Sequence, residues 1–217
     1  MSPPPSCALR PGERRELDLV RAETGAPPVW PTRVRLEWSS GALVVRFECA
    51  DPDPWGTLLR RDDPLWTEEA VEIFLAPGGA PPRRYFEFEI SPRGTLFDAL
   101  VRSPRGDRRE MTVDAGWDCA GAEWSASPCP GGWTAQLRLP LAPLCDGGAP
   151  PAHWRVNLYR IERPRPGAGG AAEFSAWSPT LATPADFHRP ARFGRLALGW
   201  PCPRVARGTR IRVTRIR

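Results

Sequence analysis

The 217-residue sequence has no lysine; all 30 of its basic residues are arginine. Arg and Lys differ mainly where a planar, bidentate or stacked cation is needed, so this reads as compositional bias before function. Histidine occurs only at His153 and His188, and no G-x-S-x-G is present, which leaves Ser-His-Asp chemistry without a basis. The six cysteines contain no C-x-x-C pair, which argues against a structural zinc site. No apolar run approaches 18 residues, so no membrane-spanning helix is predicted. The first residues, MSPPPSCALRPGERRELDLV, lack the apolar stretch of a secretion signal. The expectations that follow are a cytoplasmic location and free thiols rather than disulfides.

Proline (28), glycine (20) and tryptophan (10) are abundant, and tyrosine (2) is scarce. Proline and glycine follow no period, which excludes collagen and points to many turns. Hydrophobic residues make up 41%, enough for a true core. The net charge of +5 is concentrated in residues 201–217, which carry six arginines and no acid. The remainder is close to neutral, so a phosphate-binding face, and with it a nucleic-acid partner, is not expected. The chain divides into a disordered segment (1–15), one folded domain (16–200) and a basic tail (201–217).

The dominant pattern is alternation. Val34, Leu36 and Trp38 alternate with Arg35 and Glu37; after a Ser-Ser-Gly turn, Leu43, Val45, Phe47 and Cys49 alternate again. Residues 70–75 place Val71, Ile73 and Leu75 inward and Glu72 and Phe74 outward. Residues 85–90 place Phe86, Phe88 and Ile90 inward and Tyr85, Glu87 and Glu89 outward. Further strands are expected at 95–101, around Trp124, and at 133–139, 154–161 and 193–198, with at most one helical turn at 141–145. Strands of about six residues between Gly/Pro turns predict an all-β fold, an antiparallel β-sandwich.

Two features carry candidate chemistry. Glu72, Glu87 and Glu89 lie on two strands joined by a short turn and should share an outward, solvent-facing surface with Phe74 and Tyr85. Trp55, Trp66, Trp177 and Phe187 stand beside Pro, Asp or Ser in loops. An aromatic ring next to carboxylates suits a pyranose: the ring stacks on the C–H face, and the acids accept hydrogen bonds from hydroxyls. The commoner alternatives are a solvated sheet face and aromatic lids over the core.

The run DPLWTEEAVEIFL (63–75) resembles the W-x-x-D/E-x-V-E-I/V-F segment of family 9 carbohydrate-binding modules. YFEFEISPRGTLFD (85–98), WRVNLYRIERP (154–164), AWSPT (176–180) and FHRPARFGRLAL (187–198) follow in the order of that family, within the wider DOMON-like superfamily. The resemblance implies non-catalytic sugar binding between two aromatic residues, Trp66 and Phe187, the latter in place of a Trp. It implies Glu72 and Asn157 as polar contacts; Glu89 stands where the family carries Arg, and Arg160 is the further candidate. The ligand implied is a mono- or oligosaccharide. Because such modules often hold structural calcium, Asp51, Asp53, Asp62 and Asp63 are candidate ligands.

Three rival readings remain at the level of sequence. A glycoside hydrolase would use two of the three glutamates, but solvent-facing carboxylates have nothing to raise an acid's pKa. A haem-binding DOMON-like domain would need Met111 with His153 or His188 as axial ligands. A protein-interaction module would keep the fold without the sugar.

Overall fold

A computed structural model describes residues 3–39 and 41–199. The described residues form fourteen strands: β1 (Ser6–Leu9), β2 (Arg14–Asp18), β3 (Val20–Arg21), β4 (Thr32–Ser39), β5 (Ala42–Ala50), β6 (Ala70–Pro77), β7 (Arg84–Ile90), β8 (Leu96–Arg102), β9 (Thr112–Asp114), β10 (Glu123–Cys129), β11 (Gly132–Pro140), β12 (His153–Glu162), β13 (Glu173–Ala176) and β14 (Gly194–Leu198). The helical content of the described residues is three short 3-10 turns, at Leu65–Thr67, Ala142–Cys145 and Pro190–Arg192. One sheet runs β10-β11-β5-β4-β2; the other runs β1-β14-β12-β6-β7-β8-β9, with β13 and β3 attached beside β12. All pairings are antiparallel except β1 with β14, which is parallel.

The sandwich core is the one that alternation dictates. Val34, Leu36, Trp38, Val45, Phe47 and Leu137 of one sheet meet Val71, Ile73, Phe86, Phe88, Val156 and Leu158 of the other, all buried. Cys49 is part of this core, and burial pushes its thiol up to about 12. The five described cysteines are all free thiols.

Two expectations are corrected here. Residues 6–9, placed in a disordered leader by their prolines, form edge strand β1, and β2 begins at Arg14. Backbone pairing of the edge explains it, since an edge strand needs hydrogen bonds more than apolar side chains. The second correction concerns the outward face of the larger sheet. It is covered, and β6 and β7 are buried on both sides. Phe74, Tyr85, Val101 and Tyr159 form a second apolar cluster there with Ala176, Phe187 and Phe193. The cover is the segment following β13, which lies back over the sheet. Trp177, at the start of that segment, instead turns into the sandwich core over Gly194, where a Cβ would stand 2.2 Å from its ring. Residues 201–217, expected to be a separate tail, lie outside the described residues.

Candidate functional site

The floor of the site follows from strand register. Glu72 of β6 is directly opposite Glu89 of β7, and Phe74 is opposite Glu87. Residues paired in this way on one face have Cβ atoms about 4.5–5.5 Å apart, so the three carboxyl groups must meet. Each presents an oxygen within 4.8 Å of the others. All three are buried, at 2%, 5% and 0% exposure in chain order. This overturns the expectation of a solvated face and removes the sequence-level objection that nothing raises a carboxyl pKa. Burial lifts Glu72 and Glu89 well above the ordinary range, helped by the neighbouring acids, and Glu87 rises through burial to about 7. Among the described residues no donor of hydrogen-bonding geometry reaches either oxygen of Glu89, although the Trp66 amide and the Glu87 carboxyl lie beside it.

Above this floor lies a pocket of about 360 Å³, walled by Trp66, Phe97, Met111, Val113, Ile161, Phe174 and Phe187, with Glu72, Glu87, Arg108 and His188 as its polar lining. Trp66 sits on the short turn Leu65–Thr67 and is 45% exposed, its edge against Phe97 with ring centroids 5.2 Å apart. Phe187 is fixed from behind. Its ring stacks on Tyr159 at 4.1 Å and 14°, and its carbonyl accepts a hydrogen bond from the Tyr159 hydroxyl at 3.0 Å. At the rim, Arg108 donates to Asp186 at 2.8 Å, and Asp186 also accepts from the His188 backbone and from Arg189. Burial and the nearby Arg108 depress the His188 pKa to about 4, so the ring is neutral at physiological pH.

Trp66, Glu72 and Phe187 thus share one pocket, and Glu89 lies immediately beneath it. Asn157 and Arg160 do not line it. The Asn157 side chain is engaged with the AWSPT loop, donating to the Ser178 carbonyl and accepting from its amide, both at 2.9 Å. Arg160 points into the sandwich, where it donates to Asp51 at 2.9 Å and to the Ala50 carbonyl at 2.8 Å. Parity explains this: Arg160 shares its face of β12 with Val156 and Leu158. Trp55 and Trp177 are buried lids, Trp55 donating to the Arg163 carbonyl.

The four aspartates proposed for calcium do not converge. Asp51 pairs with Arg160 and Asp53 with Arg165. Asp63 accepts from the Arg60 amide, and Asp62 instead clusters with Asp98 and Asp118. Met111 and His188, the haem candidates, both contact the Tyr85 hydroxyl, which occupies the space between them. The sequence reading missed Phe97, Val113, Phe174 and Arg108 as pocket residues. For Phe97 a signal existed: it pairs with Glu89 across β7 and β8, which places it on the glutamate face.

No family model matches the chain. One curated relative, an "Extracellular protein" of Arthroderma benhamiae, is 30% identical over 145 residues, which are 61% of this chain and 64% of that protein. Among solved structures, a candidate carbohydrate-binding protein from Bacteroides uniformis superposes with a TM-score of 0.69 at 16% identity, covering 90% of this chain and 99% of that one. A family 9 carbohydrate-binding module from Caldicellulosiruptor kristjanssonii, solved with glucose, gives 0.59 at 14% identity, covering 93% and 99%. Its complex with cellotriose gives 0.61 at 15% identity, covering 94% and 98%. At these identities the likeness is one of fold.

Proposed function

We propose that this chain is a non-catalytic carbohydrate-binding module of the family 9 type that takes a mono- or oligosaccharide end into the Trp66–Phe187 pocket. The observation that carries the reading is the pairing of a half-exposed Trp66 with a rigidly backed Phe187 around a carboxyl floor. Such walls offer two apolar faces to a pyranose, and the floor accepts from its hydroxyls. The shared fold with modules solved bound to glucose and cellotriose supports it. A pocket of about 360 Å³ suits one or two sugar rings rather than a long chain. Calorimetry with glucose, cellobiose and a wider panel of mono- and disaccharides tests the proposal. Binding with a Kd of about micromolar to millimolar is expected, and Trp66→Ala should weaken it by about 1–3 kcal/mol. A folded protein that binds none of the panel rejects it.

One observation favours a second reading, glycoside hydrolysis: buried carboxyl groups with raised pKa are what a general acid needs. The geometry disfavours it. A glycosidase places its two carboxyls about 5 Å or more apart on either side of the scissile bond. Here all three sit side by side on one floor, set there by the β6–β7 register, and not on opposite sides of the pocket. Release of nitrophenol from aryl glycosides, abolished by Glu72→Gln, would establish the second reading.

A further inference from the structure

We propose that Glu72, Glu87 and Glu89 together bind one hard divalent cation at the floor of the pocket. Three oxygens bonded to one cation at about 2.3–2.6 Å stand no more than about 5 Å apart, and the three glutamates meet that limit. The register of β6 and β7 sets the three residues at adjacent positions on one face, so the cluster is built into the ladder.

The second observation is Glu89 itself. It is fully buried in the cluster, and among the described residues neither of its oxygens has a hydrogen-bond donor. A buried carboxylate left in that state is costly unless a cation or proton meets it. The other acidic cluster among the described residues shows what an ordinary solution looks like. There Arg61 reaches Asp98 at 2.6 Å and Asp118 at 2.7 Å, and Asp98 also accepts from the Cys119 amide. An arginine fills the place a metal would take. At the glutamate cluster the cation acting among the described residues is Arg108, and its bond goes to Asp186 at the rim.

An all-oxygen donor set selects calcium, magnesium or manganese over the softer metals. Glu72 and Glu87 line the pocket, so the remaining coordination positions open toward it. The glutamates' raised pKa values imply that cation binding displaces protons. The inference is independent of the carbohydrate reading, because the ion is measured without sugar.

The test uses the full chain, stripped with chelator and titrated at pH 7.5 with Ca²⁺, Mg²⁺ and Mn²⁺ separately. One equivalent of at least one ion should bind, raise Tm and release protons, read from calorimetry in buffers of different ionisation enthalpy. Glu89→Gln and Glu72→Gln should each weaken binding by more than about tenfold, the scale on which even outer supporting groups matter. Asp62→Asn, in the arginine-filled cluster, should leave it unchanged. Folded wild-type protein that binds none of the three ions at millimolar concentration overturns the proposal. So does binding lost in Asp62→Asn but kept in both glutamate variants. Stabilisation by glucosamine with no response to metals would also overturn it, assigning the floor to an ammonium group instead.

Discussion

The two faces of the larger sheet bury charge in opposite ways. On the inner face, Arg160 and Asp51 are 1% and 2% exposed, yet they meet at 2.9 Å, and the arginine gains the Ala50 carbonyl as well. On the outer face, three glutamates are buried as deeply without a comparable partner. A closed pair can be permanent because each charge satisfies the other. An unpaired cluster beside a pocket is a group prepared for something that arrives from outside. The contrast separates a structural use of buried charge from a binding one, although both lie within one sheet.

Breaking the inner pair should have the largest effect. Arg160→Met leaves the buried Asp51 without a countercharge, with the Asp53 amide as its remaining donor, at an expected cost of about 3–5 kcal/mol, read from denaturant unfolding. Next comes the backed aromatic. Phe187→Ala removes a ring stacked on Tyr159 and should cost about 3 kcal/mol of stability along with sugar binding.

The outer cluster should reveal itself through pH. Its folded-state pKa values are raised above the unfolded ones, so its contribution is complete below about pH 4.5 and is lost as pH rises through about 7 for Glu87. In chelator, stability should therefore fall between pH 5 and 8 by up to about 1.4 kcal/mol per pH unit for each group titrating. Glu87→Gln should flatten that slope, and what remains belongs to Glu72, Glu89 and to Glu69 beside the inner pair, whose pKa burial raises to about 8. A pH-independent Tm over this range would remove the distinction between the faces. The smallest stability effect belongs to Trp66→Ala, under about 1 kcal/mol, because the ring is 45% exposed and its recorded ring contact is with Phe97. A loss several times larger would make Trp66 a lid on the core rather than a platform.

Much of this was legible from period-2 patterning. Alternation alone assigns Val71, Ile73, Leu75, Phe86, Phe88 and Ile90 to the core, and they are buried there. Alternation also held the answer for Arg160, since Val156 and Leu158 facing inward require Arg160 to face inward. Arg160 as a further candidate sugar contact runs against that parity. The pocket's aromatic pair was legible through the motif, not through periodicity, because Trp66 and Phe187 are 121 positions apart in loops.

Sequence by itself fixed which residues face together within each strand, because side chains alternate strictly along a pleated backbone. That determined the sandwich, its core and the meeting of three glutamates across one strand pair. Whether the second face met water was a different matter. It depended on where the segment after β13 came to rest, with Phe187 against Tyr159 and Phe193 against Phe74 and Tyr85. Those contacts join residues far apart in the chain, and local patterning carries no record of them. Only the tertiary structure turned a polar sheet face into a buried floor, and burial is what gives its carboxyl groups their raised pKa values.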